Sequence, residues 1–141
     1  MKEKLLVLAK TYPIVSKKYK HLVCVGGITD KEDFRRIYPI EWKIFWHNDG
    51  FKKKNWIEYE TQSDTPSDHR PESRKIISNS VRNLGSAQFK DVKALIDKKL
   101  TTMEHLYSKN HREVSLGIVK PYEIIDFVVE LVDPKKNETI L

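Results

Sequence analysis

Asp68-His69-Arg70-Pro71-Glu72-Ser73-Arg74 puts two carboxylates, an imidazole and two guanidinium groups into one short polar stretch. A carboxylate beside an imidazole is the pairing general acid–base chemistry uses, and guanidinium forks neutralise phosphate. Asp68, His69 and Glu72 are therefore the candidate catalytic residues of a hydrolytic or nucleotide-processing centre. The same seven residues could instead form a salt-bridged turn that locks a loop, or a contact for an anionic ligand.

A second constellation is basic and aromatic. Arg35 and Arg36 lie in an extended segment, so successive side chains leave on opposite faces. Tyr38, Trp42, Trp46, Trp56 and Tyr59 supply aromatic surface near them. Arginines hold phosphates and exposed rings stack on bases, as in small nucleic-acid modules. The candidate ligand-binding set is Lys10, Arg35, Arg36, Tyr38, Trp56, Arg70 and Arg74. The tryptophans could equally be core residues. The lysine runs Lys17-Lys18-Tyr19-Lys20 and Lys52-Lys53-Lys54 read as solvated turns.

Other chemistry finds less support. His21, His47, His69, His105 and His111 form no pair at metal-ligand spacing, so no metal site is expected. Cys24 lies inside an apolar run, where a buried thiol is inert. Gly26-Gly27 lacks the continuation of a phosphate-binding loop and reads as a tight turn ending a strand, with room for a ligand to approach the backbone. Ser115 lacks the flanking glycines of a nucleophile elbow. No cofactor is implied.

The elements that must carry these residues follow from pattern. Leu5–Ala9, 21–25, Phe34–Ile40 and Lys54–Thr61 read as strands, and residues 41–50 as a short helix. Gln62–Ser73 is a loop, and 73–84 a weak helix at most. Apolar residues from Phe89 to Tyr107 recur every three or four positions, which predicts one long amphipathic helix near residues 88–109. Glu113–Val119 and 123–132 read as two further strands. This order predicts an α+β domain with a small, strongly curved antiparallel or mixed sheet, barrel-like in its most closed form. Residues 1–133 are expected to make one compact domain and 134–141 a flexible tail.

The chain's 141 residues suffice for one domain with a real core, and 39% apolar against 33% charged residues is a polar globular composition. One cysteine excludes an internal disulfide. No apolar run is long enough to cross a bilayer, and the first residues lack a secretory pattern; a cytoplasmic protein without a membrane partner is expected. The 26 basic and 20 acidic residues leave a net charge of +6, spread over both halves.

Several stretches carry a family resemblance: Lys10-Thr11-Tyr12-Pro13, Arg35-Arg36-Ile37-Tyr38-Pro39, Asp68-His69-Arg70-Pro71-Glu72-Ser73 and Ser115-Leu116-Gly117-Ile118-Val119-Lys120-Pro121. In order and kind the chain resembles a poorly characterised group of short prokaryotic proteins. The resemblance implies that the Arg35–Pro39 strand and the 68–74 loop belong to a shared framework. Longer members continue into a segment with Cys and His near a tryptophan motif, beyond anything present in this chain. The group brings no activity with it. From the residues, the expected function is a nucleic-acid-associated binding module, with DNA, RNA or a small anionic ligand as partner. The alternatives are an enzyme centred on the 68–74 loop and a protein-interaction or assembly subunit; homo-oligomerisation has no support in the sequence itself.

Overall fold

Four apolar or alternating runs become the long strands of one sheet: β1 (Lys2–Lys10), β2 (Leu22–Thr29), β3 (Phe34–Glu41) and β4 (Asn55–Glu60). The computed structural model describes residues 1–11, 22–41, 43, 50–110 and 112–129. Two short strands complete the sheet, β5 (Ser73–Arg74) and β6 (Arg82–Ser86), in the order β5-β3-β2-β1-β4-β6. All pairings are antiparallel except β3 with β5, which is parallel. The sheet is therefore mixed, as one form of the expectation had it. It does not close into a barrel, because β5 and β6 are its two separate edges.

Strand alternation sorts the side chains onto two faces. Leu5, Val7, Val23, Val25, Ile37, Ile40, Ile57 and Tyr59 form the main core with Phe51, Ile76 and Val81. On the other face Leu6 stands between Ile28 and Trp56 in adjacent strands. Gly26 and Gly27 do not end β2; the strand runs through them to Thr29. A Cβ on Gly27 would lie 2.1 Å from the Leu6 carbonyl oxygen, so this position is glycine because β1 passes too close for a side chain.

The single long helix is not formed. The apolar stripe divides between α1 (Phe89–Lys98) and α2 (Met103–Ser108). Between them Leu100–Thr101 is a strand, β7, in parallel pairing with β8 (Ile118–Val119). Thr102 then starts a new helix, its side chain accepting the His105 N–H. Two short helices with an extended break preserve the three-and-four spacing without its continuity.

Two other segments also differ from expectation. Residues 73–84 hold a 3₁₀ turn at Ser78–Ser80 between β5 and β6. Of the two strands expected at the end, Ile118–Val119 is observed, whereas 120–129 carry no regular structure. Trp42, Phe45 and Trp46 of the expected 41–50 helix, the lysines at 17, 18 and 20, and the expected 134–141 tail lie outside the described residues. Among the described residues, no helix is long and apolar enough to cross a membrane.

Candidate nucleic-acid interface

The direction of the strands decides which charges meet. β1 ends at Lys10, β2 begins at Leu22 and β4 begins at Asn55, all at one end of the sheet. The Thr29–Phe34 connection lies at the opposite end, where the Asp30 N–H donates to the Lys4 carbonyl. That opposite end carries Asp30, Glu32 and Asp33, while the first end carries Lys10, Lys52, Lys53 and Lys54. The opposite end also carries Lys31, and its Glu32 and Asp33 are paired with Lys98 at 2.7 Å and with Arg35 at 3.6 Å.

The lysine turn is held firmly. Lys52 N–H donates to Asn55 Oδ1 at 2.8 Å, and Asn55 N–H returns a bond to the Lys52 carbonyl at 3.2 Å. Lys54 N–H donates to the Val7 carbonyl at 2.7 Å, and the Lys54 carbonyl accepts from Ala87 N–H at 2.8 Å. The turn is therefore bonded to β1 on one side and to Ala87, two residues before α1, on the other. Lys54 sits at φ 67°, a left-handed conformation that suits glycine and costs a lysine about 1 kcal/mol. Its side chain and those of Lys52 and Lys53 are exposed and make no ion pair among the described residues.

Lys10 completes the group. Its Nζ donates to the Phe51 carbonyl at 3.1 Å and lies 5.7 Å from the centre of the Phe51 ring. Burial, then the charges of Lys53 and Lys52, lower its pKa below the ordinary lysine value. One nearby acid, Glu41, is engaged by Lys43 at 2.6 Å. Trp56 follows the turn by two residues and is half-buried, lining grooves with Asp30, Leu95 and Lys98 on one side and Lys4 and Leu84 on the other.

The arginines have other company. Arg35 faces the main core and pairs with Glu3 at 3.1 Å, its side chain 14% exposed and that of Glu3 8%. Tyr59 Oη donates to the same carboxylate at 2.8 Å; burial, and then Glu3, raise the Tyr59 pKa far above the usual phenol range. Arg36 leaves on the opposite face, where its Nε is buried without a hydrogen bond among the described residues. Tyr38, on that face, is 44% exposed. Arg74 donates to the carbonyls of Pro71 and Ser73 at 2.8 and 2.9 Å.

In the 68–74 loop Arg70 clasps both oxygens of Asp68, whose pKa the Arg70 bond holds far below the carboxylate range. Arg70 N–H also donates to Asp68 Oδ1 at 2.8 Å. Glu72 is buried and accepts from Ser115 N–H at 2.8 Å and Ser115 Oγ–H at 2.6 Å. Burial alone would raise the Glu72 pKa, but the Ser115 bonds outweigh it and hold it below the usual value. Both carboxylates are thus engaged in holding the loop, and His69 beside them has interactions of its own. Among the described residues, no group of His, Cys, Asp or Glu is arranged to hold a metal ion.

Of the seven ligand-binding candidates, Lys10 lies at the lysine end, Arg35 and Arg36 on opposite faces, and Arg70 and Arg74 at the loop leading into β5. Lys52, Lys53 and Lys54 are not among these candidates, because a lysine run has the composition of any solvated turn. The one local hint was Asn55 after Lys54, a turn-forming residue just ahead of a strand.

Residues 1–112 match the model of a family described as a domain of unknown function (DUF8758), and the chain belongs to that family. No curated protein and no solved structure matches the chain.

Proposed function

We propose that this member of the family is a nucleic-acid-binding module whose anion contact is the lysine end of the sheet. The observation that carries this reading is the 52–55 turn. It presents three consecutive ammonium groups on backbone bonded to β1 and to Ala87, two residues before α1. Like charges held side by side repel, and a lysine in a left-handed conformation adds strain. Strain and repulsion kept together at one exposed place are what a site for a polyanion would retain.

Two features support the assignment. Lys10 adds a fourth cation whose pKa is lowered first by burial and then by Lys53 and Lys52; a bound phosphate would offset the part that comes from the lysines. The N-terminus of α1 begins at Phe89, two residues beyond Ala87, and brings the positive end of its dipole to the same side. In this reading Arg35, Arg70 and Arg74 build the scaffold, and the lysines make the contact.

Binding of labelled single- and double-stranded DNA and RNA across a salt series tests the reading. Affinity that falls steeply with salt is expected, since each neutralised phosphate releases counterions. Salt-independent affinity, or none at low salt, would refute it.

A further inference from the structure

Beyond the 112 residues that match the family lies a stretch the sheet does not use. Tyr122, Ile124, Ile125, Phe127, Val128 and Val129 are each between 69% and 104% exposed. Single exposed apolar residues are ordinary, but six within eight positions are not. The stretch carries Glu123 and Asp126 and no lysine or arginine.

A complementary surface lies beside the point where this stretch departs. Met103 and Tyr107 are 56% and 90% exposed on one side of α2. A groove of about 270 Å³ runs between Leu106 and Tyr107 of α2 and Val114, Leu116 and Gly117. Lys109, Arg112 and Lys120 lie within three residues of its lining in sequence, exposed and without an ion pair among the described residues, against two exposed acids, Glu104 and Glu113. The surface is apolar with a basic margin; the stretch is apolar with acidic residues.

We propose that the two fit together between copies: residues 122–129 of one chain dock on the α2 groove of a second copy, and reciprocally, to give a two-fold dimer. Three observations favour a second copy over other occupants. The charges are opposite, whereas two such stretches pairing with each other would bring acidic residues together. One chain carries both halves of the contact, so a two-fold exchange buries both on each copy. Pro121 fixes its own φ and disfavours a helical Lys120, and none of residues 122–129 lines the groove of its own chain. The edges of the main sheet are poor alternatives: β5 has two residues, and β6 carries a register shift opposite it and Gly85 at φ 98°.

Solution mass of the full chain across a wide concentration range tests the proposal, with circular dichroism as a check of folding. A dimer is expected, with Ile125→Asp/Phe127→Asp monomeric and equally folded, because those residues are 91% and 84% exposed. Glu123→Lys/Asp126→Lys should weaken the dimer roughly tenfold, as should Lys109→Glu/Arg112→Glu, and mixing the two variants should restore a heterodimer. A full chain that stays monomeric overturns the proposal. So does a dimer indifferent to the Ile125 and Phe127 substitutions, association only with a different protein, or failure of the mixed charge variants to pair.

Discussion

Glu72 and Ser115 are 43 residues apart in sequence and joined by two hydrogen bonds, 2.8 and 2.6 Å, in the structure. The bonds tie the 68–74 loop to the segment that leads into β8. Two of the motifs that gave the chain its family resemblance therefore meet at one buried carboxylate. Ser115→Ala removes one of its two Ser115 partners, a bond to a charged group worth about 1.5 to 3 kcal/mol, and chemical denaturation should show a loss of that size. Glu72 has a lowered folded pKa, so its contribution is complete above the unfolded value of about 4.3 and disappears as pH falls through the folded value. The gap between wild type and Ser115→Ala should accordingly narrow below about pH 4; a constant gap would argue against the bond.

Glu3 serves two partners, Arg35 and Tyr59, at the edge of the main core. Glu3→Ala leaves the largely buried Arg35 cation with only the longer Asp33 contact at 3.6 Å and the Phe34 carbonyl, and should cost about 3 kcal/mol, while Tyr59→Phe should cost about 1 kcal/mol. Spectrophotometric titration should show Tyr59 still neutral well above the usual phenol range. Because the folded pKa is raised, this phenol's contribution holds below about pH 10 and fades above it.

Gly27 and Gly26 are adjacent and unequal. A methyl on Gly27 meets the Leu6 carbonyl at 2.1 Å and Leu5 Cγ at 2.9 Å, whereas one on Gly26 meets nothing nearer than 4.0 Å. Gly27→Ala should cost on the order of 3 kcal/mol or prevent folding, and Gly26→Ala should be nearly neutral. Equal melting temperatures for the two variants would show that β1 gives way.

The four long strands were legible because alternation and short apolar runs are local properties, and β3 begins at Phe34 as the pattern requires. The break between the helices was not. Leu100 and Thr101 leave the helix for a partner at Ile118 and Val119, a tertiary pairing that helical spacing cannot reveal. Site residues divide along the same line. Arg35 beside aromatic residues looks like a ligand contact until Glu3, 32 positions earlier, is seen to hold it. The lysines at 52–54 look like bulk charge until the bonds to Val7 and Ala87 show them held in one place. Arg70 and Asp68 are near neighbours, and for them the salt-bridged turn was readable as one of the stated alternatives.

Lys54 carries a further consequence of its left-handed backbone. Lys54→Gly relieves the conformational cost and should stabilise the fold by up to about 1 kcal/mol while weakening nucleic-acid binding. A rise in melting temperature together with a fall in affinity is the expected pair of results. Loss of stability would mean that the lysine is there for the fold.

The most direct test of the central claim is fluorescence anisotropy of a labelled oligonucleotide at low salt, comparing wild type with Lys52→Glu/Lys53→Glu. Both side chains are exposed, so the variant should fold as the wild type does. The account predicts wild-type binding that weakens with added salt, and an affinity at least roughly tenfold lower in the variant. Binding of equal strength by the two proteins, or none by either at micromolar concentration, would contradict it.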